Sequence, residues 1–403
     1  MLSLKVKVKL NQKQQIIVET LSNEHRLLYN YLLSSIKEKS LTFKELNQHY
    51  KNYRNNNNLT ISSKSAQNTC IQLINSIKSF YKLRKTDITV NFPYKFKSYK
   101  YFTSFMIDNN NGNGGFKIKD NILSINLNST KNKIDIKLPN YANIINENNI
   151  KTLTFKKENN HYYIIFVYQE PKSSTKLNKD NFLSIDLGYS SLATCYSNKV
   201  DNISISNLKL KKLEKRIKSL QSLKDKKKKN SRKFKKINKT FKKVKSKQHN
   251  KIKDFQHKTS TKIIKTCIEN DIGSLVVGDI KVKKIIDKNN HKLSGISKST
   301  LALGRFKTFL EYKSKKVNID FYKVNEAYTS QKNCLTGELQ FSSDLSNRFV
   351  EVKEGVFINR DLNSAVNIAK KVKGTWSAQV DKLLVCHKMF VDYNSNLQMS
   401  EIK

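Results

Sequence analysis

Acidic residues are scarce in this chain of 403 residues: 32 Asp and Glu stand against 77 Lys and Arg, a formal net charge of +45. A compact state with that excess repels itself unless a polyanion neutralises it, and nucleic acid does so through phosphate contacts and counterion release. Compositional drift toward Lys and Asn, visible in the run Asn55 to Asn58, raises lysine everywhere but does not explain why basic residues concentrate in one segment. Cysteine is sparse too. Cys70, Cys195, Cys267, Cys334 and Cys386 include no CxxC pair, which argues against a disulfide framework or a complete Cys-based zinc site and fits a reducing compartment. No apolar run reaches the roughly 18 residues of a spanning helix, and the first residues lack the apolar core of a secretion signal. The expected location is the cytoplasm, or the nucleoid of a bacterium. What remains, 37% hydrophobic residues with 20 Phe and 18 Tyr, suffices for a folded protein. At this length two or three domains are expected.

Residues 2–10 alternate Leu2, Leu4, Val6, Val8 and Leu10 with Lys5, Lys7 and Lys9, the period-two pattern of a half-buried strand with a basic outer face. Helical segments follow; Cys70, Leu73, Ile74, Ile77 and Tyr81 make one buried helical stripe. From about Tyr101 to Tyr168 short strands return. The order predicts a small β-barrel (1–10 and 86–171) carrying a helical insert (11–85). Pro171 and the polar stretch after it read as a linker.

Beyond the linker, Phe182, Leu183 and Ile185 form a buried strand that Asp186 interrupts, with Gly188 permitting a tight turn. Residues 207–253 carry 22 Lys and Arg against two acids, Glu214 and Asp225. Beneath the charge lie two helical stripes: Leu210, Leu213, Ile217, Leu220, then Phe234, Ile237, Phe241, Val244. We read a basic helical hairpin with one face packed and the other presenting Lys211, Lys212, Lys215, Arg216, Arg232, Lys233, Lys235, Lys236, Lys242 and Lys243 to phosphates. A solvated charge run is the blander alternative. The run 274–280 predicts a buried parallel strand; a helix follows near 299–316, a strand over 317–324 ends just before Glu326, and 359–372 is a helix with Asp361 near its start.

Asp186, Glu326 and Asp361 are the candidate site. Phosphodiester hydrolysis needs an activated water and a stabilised leaving oxygen, which two divalent ions about 3.5–4 Å apart supply. Mg²⁺ takes hard oxygen ligands, so carboxylates must converge from separate elements. Parallel strands align their C-terminal ends at one edge, and strands joined by a crossover usually neighbour. The strand ending before Glu326 should therefore lie beside 274–280, and Gly278 would leave room for the Glu326 side chain. Singly, each acid is more often a surface or capping residue; Asp361 could merely cap its helix.

At these residues the chain resembles the TnpB family of transposon-encoded RNA-guided nucleases, relatives of miniature type V CRISPR effectors and Fanzor proteins. The matching stretches are SIDLGYSSLAT, DFQHKTSTKII, LEYKSKK, EAYTSQKNC and NRDLNSAVNIAKK, with SAQNTCIQLINSIKSFYK and FPYKFKSYKYFTSF nearer the N-terminus. The resemblance implies an α/β plus β-barrel architecture: a wedge barrel with a helical recognition insert, then a RuvC-like, RNase H-like nuclease domain over 180–372 and a tail over 373–403. It implies Mg²⁺ as cofactor, with a guide RNA from the transposon end and double-stranded target DNA as partners; the oligomeric state is open, a monomer being favoured over a dimer. It gives Asp186 and Asp361 the first and third acidic roles, and it puts Glu326 with the subgroup whose second acid has moved to the NEAYTS segment, Gly278 standing where a Glu is usual. The zinc ribbon expected over 329–358 is degenerate: Cys334 remains, while Gly337, Glu351 and Glu354 replace cysteines, a poor set for tetrahedral zinc. Zinc is not expected. Arg360 and Asn363 flank the third acid, as positioning or capping groups. A nuclease-dead RNA-guided repressor and a miniature CRISPR effector are the rival readings; a DNA-strand transposase ranks below them, for want of a His-hydrophobe-His motif with a nucleophilic Tyr.

Overall fold

The alternating segment at the N-terminus is an edge strand in the computed structural model. It describes residues 2–36, 42–92, 95–108, 115–128, 132–144, 149–169, 175–188, 191–208, 210–279, 302–342, 347–374, 378, 380–391 and 397–402. Two compact units divide at Pro171. Pro171 itself and the start of the polar stretch after it, like residues 299–301 of the expected helix, lie outside the described residues.

In the first unit β1 (Leu2–Val8) is followed by α1 (Gln12–Ser34), α2 (Phe43–Asn55) and α3 (Ser63–Arg84). Strands β2 (Phe105–Asp108), β3 (Phe116–Lys119), β4 (Ile122–Asn126), β5 (Lys133–Lys137), β6 (Ile150–Glu158) and β7 (His161–Tyr168) complete it. Capping boxes start α1 (Asn11 with Gln14) and α2 (Thr42 with Glu45), so the N-cap and N3 N–H groups of both helices are met locally. β1 pairs antiparallel with β7, burying Val6 and Val8 while Lys5 and Lys7 face out. The strands form an open sheet of order β1-β7-β6-β2 and a separate three-stranded sheet β3-β4-β5. The expected barrel is thus corrected: among the described residues no closed barrel is present. Four strands are too few to close on themselves. α3 packs against β2, and Phe105, Phe155 and Phe166 fill the common core.

In the second unit β8 (Phe182–Asp186), β9 (Ser191–Ser197), β10 (Asn202–Ser206), α4 (Lys211–Asp225), α5 (Arg232–Glu269) and β11 (Ser274–Gly278) come first. Then follow α6 (Leu303–Lys316), β12 (Asp320–Val324), the hairpin β13 (Phe349–Lys353) and β14 (Val356–Asn359), α7 (Arg360–Lys373), α8 (Val380–Leu384), β15 (Cys386–Val391) and β16 (Leu397–Ile402). The sheet order is β12-β11-β8-β9-β10-β15-β16. β8 and β12 both run parallel to β11, and β9 is antiparallel to β8. β11 is buried along its whole length, as its unbroken apolar sequence requires.

Two sequence boundaries move. The second arm of the basic hairpin does not stop at 253; α5 is a helix of 38 residues, about 57 Å at 1.5 Å per residue. Its apolar stripe continues through Ile252, Phe255, Ile263 and Cys267 into the core of the sheet. The chain after 373 adds an α-helix and two strands to the far sheet edge, β15 parallel to β10. Among the described residues no helix is long and apolar enough to cross a membrane.

Candidate active site

β8, β11 and β12 set the stage by register. Ile185 lies opposite Val277, and Gly278 opposite Val324, so Asp186 at the end of β8 and the turn following β12 meet around Gly278. A Cβ built on Gly278 would stand 1.8 Å from Glu326 Oε1 and 2.5 Å from its Cδ. The Glu326 carboxyl thus occupies the space that a side chain on β11 would fill. The neighbouring acid, Asp279, pairs with Lys307 of α6, and both lie close enough for their charges to act on Glu326.

α7 brings the third acid. Its cap is Asn359, whose Oδ1 accepts from the Asp361 backbone N–H at 2.8 Å, so the Asp361 carboxyl is left free of the capping role. The helix lies on β8, where Ser184 Oγ donates to Ala365 O at 2.8 Å. Leu362, Ala365, Val366 and Ala369 bury its apolar face against the β13–β14 hairpin and Cys334.

Asp186 senses both other acids. Burial, then the charges of Glu326 and Asp361, raise the Asp186 carboxyl well above the usual range. Burial, helped by the charge of Asp279, pushes Glu326 up to about 8, against the pull of Lys307 and Lys371. Burial raises Asp361 as well, against Arg348 and Arg360. Repulsion between like charges is mutual, so these carboxyls titrate as a set. Glu326 Oε1 is buried and has no hydrogen-bond partner, an uncompensated acceptor. Among the described residues, no group of three or more His, Cys, Asp or Glu side chains could hold a metal ion as it stands. The donor chemistry is nevertheless of the right kind: three carboxyls raised by burial offer hard oxygens, and one of them, Glu326 Oε1, has no partner.

The turn bearing Glu326 is held by residues that the sequence reading did not single out. Lys371 Nζ donates to Asn325 O (2.7 Å) and Ala327 O (2.9 Å), the carbonyls on either side of Glu326. Thr329 donates to the Glu326 carbonyl through its N–H and its hydroxyl. Tyr328 adopts φ 64°, a left-handed conformation rare for a bulky residue. Asn363 and Asn367, one helical turn apart and buried, bind the segment beyond. Asn363 Oδ1 accepts from Cys334 N–H and its Nδ2 donates to Lys332 O, while Asn367 Nδ2 donates to Thr329 O and Lys332 O. Lys370 Nζ donates to Cys334 O at 2.6 Å. The signal was present in the sequence: two amides at i, i+4 beside the apolar face of a helix must find partners when buried. Arg360 is buried and reaches Ser330, so it and Asn363 act on this segment. At the positions a zinc ribbon would give to cysteines, Glu351 Oε1 accepts from Gly355 N–H to close the hairpin turn, and Gly337 takes φ 82°.

The ten basic residues singled out on the hairpin are all exposed. Leu213, Ile217, Leu220, Phe234, Ile237 and Phe241 are half-buried where α4 packs on α5, and Lys224 Nζ lies 4.6 Å from the Phe241 ring.

Among known proteins, the model of the OrfB_IS605 family, described as a probable transposase, matches residues 165–283, and that of the Cas12f1-like TNB domain matches residues 304–368. The TnpB resemblance read in the sequence therefore holds over both stretches. No curated protein matches significantly. Among solved structures, the cryo-EM structure of the Cas12f1-sgRNA-target DNA complex is similar at 16% identity and a TM-score of 0.63, over 89% of this chain and 83% of that one. The structure of the mini-RNA-guided endonuclease CRISPR-Cas_phi3 is similar at 11% identity and 0.51, over 94% and 93%. At such identities the likeness is one of mixed α/β fold.

Proposed function

We propose that this chain is an RNA-guided DNA endonuclease of transposon origin, with Asp186, Glu326 and Asp361 as its metal-binding carboxylates. The single observation that carries the reading is the lodging of the Glu326 carboxyl in the space over Gly278, beside Asp186, from the strand next along. The family matches, the fold likeness to guide-RNA effectors and the charge of +45 support the nucleic-acid partners. We assign the first unit to a wedge and recognition role and the second to a RuvC-like nuclease, acting as a monomer.

Divalent magnesium, when bound, would polarise the scissile phosphate and lower the pKa of an attacking water. The rest falls to the chain. Asp186, Glu326 and Asp361 give up their shared protons and supply the oxygen ligands. Lys371 and Thr329 fix the turn, so that the Glu326 carboxylate stays over Gly278. The α4–α5 hairpin tracks the phosphates of a guide–target duplex, while base pairing supplies sequence choice and the protein reads duplex shape and a short flanking motif.

The test is plasmid cleavage with RNA transcribed from the native locus, wild type against Glu326→Ala. Loss of cleavage with RNA binding retained is the expected result. Cleavage that survives the substitution removes Glu326 from the site. A second reading, a guided binder that does not cut, draws on the lack of a ready metal-holding group among the described residues; it wins if wild type binds target and leaves it intact.

A further inference from the structure

The first unit displays three large aromatics to solvent within six residues: Phe96 is 61% exposed, Tyr99 76% and Tyr101 75%. Their neighbours Phe92 and Phe102 pack against the core, so the segment is anchored while these three rings are not used by the fold. The anchoring is specific. Asn30 of α1 grips Lys97 twice, its Nδ2 donating to Lys97 O at 3.0 Å and its Oδ1 accepting from Lys97 N–H at 2.8 Å. Lys97 Nζ lies 3.8 Å from the centre of the Tyr29 ring. The backbone is held, and the rings between the anchors stand outward on it.

The surroundings identify what the rings meet. Between 78 and 101 there are seven basic residues, Lys78, Lys82, Arg84, Lys85, Lys95, Lys97 and Lys100, and one acid, Asp87. Lys95 and Lys100 are exposed among the rings, Lys100 Nζ being 5.9 Å from that of Tyr99. A protein-binding face of this size would be depleted in lysine. Aromatic rings interleaved with cations suit a ligand that offers π-faces and phosphates together, an unpaired nucleic-acid strand.

We infer that Phe96, Tyr99 and Tyr101 form a stacking platform for unpaired nucleotides of the guide RNA, with Lys95 and Lys100 neutralising the adjoining phosphates. The inference rests on the proposed guide-RNA reading. RNA is chosen over target DNA because exposed aromatics left uncovered promote self-association, and a guide is resident where a target is transient. The irregular spacing of the rings also suits splayed bases of a folded RNA.

The experiment uses the full chain and fluorescence polarisation at several salt concentrations. The probes are a fluorescein-labelled unstructured single-stranded RNA and the DNA of the same sequence. The triple variant F96A/Y99A/Y101A should lose about tenfold in RNA affinity per ring lost from stacking, with an unchanged salt slope. K95Q/K100Q should flatten the salt slope by about 0.7 per lysine, and F96W/Y99W/Y101W should bind as wild type does. Unchanged RNA affinity in the alanine variant overturns the platform. So does a loss confined to the DNA probe, or an effect on self-association alone. Should wild type itself show no affinity for RNA, the guide-RNA reading falls, and the platform with it.

Discussion

Adding one methyl group at Gly278 should cut cleavage by about 100-fold while leaving the fold intact. The Cβ of Gly278→Ala would sit 1.8 Å from Glu326 Oε1, and ordinary contact begins near 3.4 Å, so the carboxyl must retreat by about 1.6 Å. What has to move is the far end of a flexible side chain, not backbone, and Gly278 is an ordinary strand position, where alanine is tolerated. The thermal transition should therefore hardly change. Catalysis is less forgiving, because a misplacement of 1 Å in a preorganised site costs on the order of 100-fold. Single-turnover plasmid cleavage with the native-locus RNA should fall by about that factor, with guide and target binding retained. The double variant Gly278→Glu with Glu326→Ala puts the carboxyl on β11 instead and should recover activity relative to Glu326→Ala alone. Cleavage by Gly278→Ala at the wild-type rate would refute the placement of Glu326 at the metals.

Three other outcomes follow from the same geometry. Unfolded, Glu326 is ionised above its ordinary 4.5; folded, it keeps a proton up to about 8. Without divalent ions, stability should therefore decline as pH rises from 4.5 toward 8. MgCl₂ should raise the melting temperature more at pH 8.5 than at pH 6, as scanning fluorimetry would read; equal increments would contradict the coupling of proton and cation. Lys371→Met removes both hydrogen bonds that frame Glu326 and should cut the cleavage rate about tenfold for about 1 kcal/mol of stability, leaving RNA affinity unchanged; an unaltered rate would remove Lys371 from positioning. In the first unit, burial and Lys97 lower His25 to about 3. Ser65 Oγ donates to Met106 O and so accepts from His25 Nε2, leaving Nδ1 to accept from Thr69. The unfolded chain takes up this proton below 6.5 and the folded one does not, so stability is full above 6.5 and falls toward pH 3 by up to about 5 kcal/mol. An NMR titration of His25 with a midpoint near 6.5 would rule this out.

Local pattern carried the strands and their neighbours in the sheet further than it carried element lengths. Glu326 could be placed beside Asp186 from two general rules, neighbouring of crossover strands and alignment of parallel strand ends, and the Gly278–Val324 register realises both. The length of α5 was obscured because lysine dominates its first half; the stripe Ile252, Phe255, Ile263, Cys267 continues in phase but under fewer charges. Barrel closure was illegible because it depends on which edges pair, and period-two alternation in β1 or β7 says only which face is buried. The parallel union of β15 with β10 is likewise non-local, joining Asn202 to Cys386 across most of the unit. The amide clasp of Asn363 and Asn367 was visible as a spacing, and what it clasped was not.

The site poses an electrostatic question that the net charge does not answer. In a chain of +45, burial still outweighs every cation acting on Asp186, Glu326 and Asp361, for it is the leading cause of each upward shift. The nearby cations have other engagements: Lys307 with Asp279, Lys371 with two carbonyls, Arg360 with Ser330. The densest run of basic residues, 22 Lys and Arg against two acids over 207–253, lies along the hairpin, where water and salt screen it over about 8–10 Å. Charge displayed for a polyanion cannot also neutralise a desolvated trio of acids. Their neutrality has to come either from protons, which hold the carboxyls idle, or from cations taken up from solution, which would put them to use.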